Sequence, residues 1–198
     1  MANDNYKSIV SSAFIDILKQ FRENPYYYFY EEDIRVDLAQ KLIKESEQIE
    51  VTHPHSHKKI LTTPIKCEYP GNQQNNNRHD IVFVQRNSFD NIYILDIPVI
   101  IELKLGSKSY DRCSEFKEDI KKLLGYKYNH SINLGIAVYF YQDEVESKLF
   151  DIWFRDIIEK FKKVEMEKIT FDSPDSPLIN SFIVTPDSIL WADTYINY

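Results

Sequence analysis

The sequence predicts an α/β fold, an α+β sandwich with a central mixed β-sheet flanked by helices, on three observations. Segments with apolar residues at helical spacing alternate with short runs dense in Ile, Val and Leu. The elements read in the order α-α-β-β-β-α-β-α, with no internal repeat and no linker that would cut the chain. The length of 198 residues, 43% of them apolar, suits one domain with a real core and is short for two.

Each element has its own signal. Residues 8–21 place Ile9, Val10, Ala13, Phe14, Ile17, Leu18 and Phe21 on one helical face, and Asn24-Pro25 closes that helix. A second helix is expected from Glu31 to Ser46, with Ile34, Leu38 and Leu42 on one side. Residues 52–59 read as a loop, Ile60–Tyr69 as a first strand and residues 70–77 as turn. Asp80–Val84 is a short β-rich run, followed by a hairpin connection over residues 85–91. Ile92–Leu105 reads as a buried strand kinked near Pro98. Residues 112–129 are helical, with Phe116, Ile120, Leu123 and Leu124 as the apolar stripe. Leu134–Tyr141 is a strand, residues 144–164 an amphipathic helix and Ser181–Thr185 a last edge strand.

Composition removes several function classes. Four glycines leave no phosphate-cradling G-x-x-x-x-G-K-[ST] or G-x-G-x-x-G loop. Cys67 and Cys113 stand alone, so neither a zinc ribbon nor a disulfide framework is expected, and the compartment is expected to be a reducing cytoplasm. The N-terminus has no signal-peptide pattern, and no run of residues is apolar enough to span a membrane. The net charge of −7 argues against a wholly basic surface. Residues 101–130 nevertheless hold seven basic against five acidic side chains, so a local basic site on an acidic body is expected there.

That segment carries the chemistry. In a strand, alternate side chains share a face, so Glu102 and Lys104 project together, ~6.7 Å apart, while Ile101, Leu103 and Leu105 project the other way. Two charged groups thus sit inside the most hydrophobic strand, where each needs a partner or a metal. Asp80 opens the strand expected to pair with that of Glu102. Two carboxylates so placed repel each other unless a cation lies between them. Mg²⁺ (or Mn²⁺) suits such a site, taking oxygen ligands and keeping waters for a phosphate substrate.

Asp80 followed by Glu102-x-Lys104 resembles the motif of the PD-(D/E)XK nuclease superfamily, the restriction-endonuclease-like fold with its α-β-β-β-α-β core. The likeness covers residues 30–140. His79 stands where the family name places Pro. The resemblance implies metal-dependent phosphodiester hydrolysis of nucleic acid, usually DNA. Asp80 and Glu102 would be the metal ligands, and Lys104 would position water or phosphate. It also implies a Glu on the preceding helix. Glu31 fits that role better than Glu32, because it shares a face with Ile34, Leu38 and Leu42. Arg78, Lys108 and Arg112 are candidates for binding flanking phosphates, making binding salt-dependent. Either Lys121 or Lys122 would complete the site. Nucleases of this class often act as dimers, so a homodimer is an expectation.

Other readings stand beside this one. The same fold could serve as a catalytically idle binding or structural module. The acidic region 143–175 could be a docking face, which predicts an exposed apolar patch there. His53, His55 and His57 read as an exposed loop rather than a metal site. Residues Tyr26–Tyr30 could stack bases, but helix–sheet packing is the expectation. Both cysteines are expected to be inert.

Overall fold

The uninterrupted apolar run Leu134–Tyr141 must be covered from both sides, and the chain supplies a helical layer for each face of its sheet. A computed structural model describes residues 5–52, 56–70, 78–85, 96–129, 132–144, 152–153, 161–171 and 178–193. The elements are α1 (Tyr6–Glu23), α2 (Glu31–Glu45), β1 (Ile49–Thr52), β2 (Lys59–Thr62), β3 (Ile65–Pro70), β4 (Arg78–Gln85), β5 (Asp96–Gly106), α3 (Cys113–Asn129), β6 (Leu134–Tyr141), β7 (Lys162–Lys163), β8 (Ile179–Val184) and β9 (Ile189–Asp193). Seven strands form one mixed sheet in the order β3-β4-β5-β6-β8-β9-β7, and β1 and β2 form a separate two-stranded ribbon. Pairing is parallel in the middle, β5 with β6 and β6 with β8, and antiparallel outside it.

Strand alternation sorts the core into two layers. Val99, Ile101, Leu103 and Leu105 of β5 pack with Phe14, Ile17 and Leu18 of α1 and Ile34, Leu38 and Leu42 of α2. Ile100 of β5 and Ala137 and Tyr139 of β6 face the other way, against Phe116, Ile120 and Leu123 of α3. The predicted sandwich is thus present; among the described residues two helices lie on one face and one on the other. No helix among the described residues is long and apolar enough to cross a membrane.

Several boundaries differ from the sequence expectation. The expected strand Ile60–Tyr69 divides at Thr63-Pro64, and its first half pairs with β1, a strand without counterpart among the sequence expectations, which place only a loop from Thr52 on. Proline has no N–H for a ladder, and Pro64 instead gives its carbonyl to Val84 N at 2.8 Å. Pro98 does not break β5. It sits where Ile97 and Pro98 lie between the paired residues Asp96 and Val99 while only Val84 lies between Gln85 and Phe83, a bulge that tolerates a missing donor. The expected edge strand at 181–185 is interior, since β8 pairs with β6 on one side and β9 on the other. Lys162 and Lys163, expected to end a helix, form strand β7 on β9. Residues 145–151 and 154–160 of that expected helix, residues 71–77 of the expected 70–77 turn, residues 86–95 and the histidines 53 and 55 lie outside the described residues.

The aromatic run 26–30 also departs from expectation. Pro25–Tyr27 form a single 3-10 turn, followed by an extended link into α2. Only Tyr28 is buried, its hydroxyl donating to Asp37 Oδ2 at 2.8 Å, and the other four rings face solvent. Helix–sheet packing is therefore the wrong account of four of these five residues.

Candidate functional site

The sequence motif converges where β4 and β5 stop being regular. Backbone pairing runs through Val82↔Ile100 and Ile81↔Ile101, and the next step would set Asp80 against Glu102. There the side chains take over. Asp80 Oδ2 accepts the Leu103 N–H at 2.7 Å, and Glu102 Oε2 accepts the Asp80 N–H at 3.4 Å. The cause is a change of face in β3 and β4. Ile65 and Ile81 pack under α1 and α2, yet Tyr69, four residues beyond Ile65, packs on the α3 side. Glu68, between the paired Cys67↔Ile81 and Tyr69↔His79, has φ of 50°. This local left-handed twist breaks the alternation and turns His79 toward Glu102, while Asp80 reaches toward α2.

Glu102 is 1% exposed, so its charge must be matched locally. His79 Nδ1 lies 2.5 Å from Glu102 Oε1, and Lys122 Nζ lies 2.8 Å from the same oxygen. Lys122 also donates to the Arg78 carbonyl. On the same strand face, Lys104 Nζ lies 3.2 Å from Glu31 Oε1 and 3.2 Å from Asp119 Oδ2, and donates to the Leu103 carbonyl at 3.0 Å. Asp80 has Arg35 as its cation, 3.5 Å away, and Arg35 is shared with Glu32 and Glu68. Carboxylates and cations therefore alternate from α2, through β4 and β5, to α3.

The balance is tilted toward negative charge. Burial, and then the nearby Glu102 carboxylate, raise the pKa of Asp80 above the ordinary range. Burial pushes Asp119 up to about 7 despite its two lysines. Burial works against the Lys104 charge, but Asp119, Glu31 and Asp80 outweigh it and raise the lysine. A carboxyl whose pKa is raised on folding binds more protons in the native than in the unfolded chain. Stability is then full at low pH and falls as pH rises through the native pKa. Between pH 5 and pH 8 the wild type should lose on the order of 2 kcal/mol from Asp119. Urea titrations at those two pH values should show a clearly smaller loss for Asp119→Asn. An unchanged loss would place the titration elsewhere.

The remaining candidates fall into place around this cluster. Of the two α3 lysines, Lys122 reaches Glu102, whereas Lys121 is exposed and pairs with Glu118 at 2.7 Å. Glu31 places both oxygens on cations, the second on Arg112 Nη1 at 3.2 Å, rather than beside Asp80 and Glu102. Arg112 also binds Glu115, and its N–H donates to the Tyr139 hydroxyl at 3.0 Å. Gly106 makes room for that hydroxyl, which a Cβ there would overlap. Lys108 lies in the turn after β5, its N–H held by Asp143 Oδ2 at 2.7 Å, and Arg78 is exposed with Glu68 at 3.8 Å. Cys67 is exposed and Cys113 buried, both unbridged. Burial pushes the Cys113 thiol up to about 12, away from nucleophilic use.

Sequence reasoning passed over Asp119, His79 and Arg35. Asp119 had a signal: three residues after Phe116 and one before Ile120, it occupies the apolar face of α3. His79 had none, because only the break in alternation turns it toward Glu102. Among the described residues, no three His, Cys, Asp or Glu side chains are grouped closely enough to hold a metal ion by themselves. No family model matches this chain, and no curated protein and no solved structure matches it significantly.

Proposed function

We propose that the chain is a metal-dependent nuclease of the restriction-endonuclease-like type, acting on DNA. The observation that carries this reading is the placing of Asp80 beside Glu102, with Lys104 two residues further on the same strand face. The donor set suits a hard divalent cation: two carboxylates near enough that, after burial, the Glu102 charge raises the pKa of Asp80. Mg²⁺ needs only one or two protein carboxylates, since waters and substrate phosphate complete its shell. When bound, such an ion supplies Lewis acidity toward water and phosphodiester. Asp80 and Glu102 would hold it. Lys104 Nζ, fixed by Glu31 and Asp119, would orient the attacking water or a non-bridging phosphate oxygen. The water oxygen would form the new P–O bond as the opposite P–O bond breaks, the water giving up one proton to solvent and the leaving alkoxide taking one up from solvent. Lys122 and His79 keep the Glu102 carboxylate in place, and Arg112 braces Glu31.

Incubation of supercoiled plasmid and of single-stranded circular DNA with Mg²⁺ or Mn²⁺ tests this. Wild type should cut, and Asp80→Asn and Glu102→Gln should each slow cutting by about 100-fold or more. Circular dichroism checks that the variants are folded at the assay temperature. Cutting that survives in both variants removes the site from the reaction. A folded wild type that neither cuts nor binds Mn²⁺ in calorimetry supports the second reading, an idle module. That reading has its own observation, since His79, Lys122, Lys104 and Arg35 already lie against the carboxylates.

A further inference from the structure

All the strongly exposed aromatic rings among the described residues fall in two short segments: Tyr26 at 60%, Tyr27 at 57%, Phe29 at 80%, Tyr30 at 74% and, separately, Tyr110 at 61%. These segments are far apart in sequence and stitched together in space. Gln142 Nε2 donates to the carbonyls of Pro25 and Tyr28 at 3.1 and 3.0 Å, while the Gln142 N–H donates to Gly106 O at 2.9 Å. Asp143 accepts from the Tyr26 hydroxyl at 3.2 Å and from the Lys108 N–H at 2.7 Å. The Ser107–Tyr110 turn is closed by two backbone hydrogen bonds of 3.0 and 3.1 Å. Tyr30 immediately precedes Glu31, and Tyr110 stands two residues before Arg112; Glu31 binds Arg112 with one oxygen and Lys104 with the other, each at 3.2 Å. Both aromatic segments therefore adjoin the ion pairs that hold Lys104.

Their setting separates them from stray surface residues. Asp33 Oδ2 accepts the N–H groups of both Phe29 and Tyr30 at 2.9 Å, so the backbone that presents these rings is fixed. The Arg112 guanidinium lies 5.6 Å from the Tyr110 ring centroid. Flat exposed rings on two segments tied together by Gln142 and Asp143, with the Arg112 guanidinium over one of them, match unstacked bases strung on phosphates. Every base has a π-face to stack, and the cations meet the backbone between bases. A paired duplex keeps its bases stacked on each other and has no free face to offer these rings. We propose that Tyr26, Phe29, Tyr30 and Tyr110 form a stacking platform that delivers a single-stranded nucleic acid to the site. This rests on the nuclease reading only for what happens to the strand after it binds.

Fluorescence anisotropy with a labelled oligothymidylate and with a blunt duplex, both in EDTA, tests the platform apart from the chemistry. The wild type should bind the single strand more tightly than the duplex. Tyr30→Ala combined with Tyr110→Ala should weaken single-strand binding by roughly tenfold or more, while Tyr30→Phe with Tyr110→Phe should retain it. Duplex bound as tightly as the single strand overturns the proposal. So does single-strand binding unchanged by the alanines, or binding of a basic peptide in place of either oligonucleotide. Metal-dependent cutting with tyrosine-independent binding leaves the nuclease reading and removes the platform. Tyrosine-dependent binding with no cutting does the reverse.

Discussion

Lys104→Ala is expected to destabilise the fold by about 3–5 kcal/mol, the cost of removing one partner from a buried ion cluster. In a chain of this size that lowers Tm by roughly 10 °C. Lys104 Nζ lies between Glu31 and Asp119, and its charge also acts on Asp80. Alanine leaves those carboxylates facing one another in a largely dry site, where both burial and mutual repulsion are unfavourable. Urea unfolding followed by circular dichroism measures the loss. Lys104→Met with Asp119→Leu should recover part of it, since apolar replacement of a whole buried pair is often neutral. A loss below about 1 kcal/mol for Lys104→Ala would mean that water already does the work assigned to the lysine.

Phe14→Ala is expected to cost about 3–5 kcal/mol for a different reason, the cavity left by a fully buried ring. Phe14 is 0% exposed, with the rings of Phe182 and Phe171 centred 5.1 and 5.8 Å away. It fastens α1 to β8, on the opposite face of the sheet from α3. The unfolding midpoint should fall, while the metal-dependent cutting proposed for the site should persist at temperatures where the variant is folded. Loss of both together would mean that the packing of α1 reaches the site through α2 and Glu31.

The two expectations divide the molecule as its sequence does. Apolar spacing located α1, α2, α3 and β6 within a few residues, because each has one strong periodicity and a covered face. The shared strand pair also brought Asp80 level with Glu102, but strand alternation did not foresee that His79 would face Glu102 while Asp80 turns to Arg35. What escaped depends on contacts between distant segments. Lys162 and Lys163 have no strand signal of their own and are paired by Trp191 and Leu190. Ser181–Thr185 resembled an edge strand because it is short, and only its pairing on both sides makes it interior. His79 was hidden by the turn at Glu68, and the exposure of four rings in residues 26–30 by the 3-10 turn that precedes α2.

The parallel centre of the sheet has a consequence for how the chain folds. β6 can pair with β5 once α3 has formed, but its other neighbour, β8, begins at Ile179, far along the chain. Closing that interval is entropically slow compared with forming the local hairpins. During synthesis β6 is therefore complete well before its second partner exists. In that window LGIAVYFY presents an open row of backbone donors and acceptors on a β-prone, uncharged strand, the kind of edge that recruits other chains. β8 then acts as the chain's own cover for that edge, and the speed at which residues 179–184 arrive governs how much of the protein folds rather than aggregates.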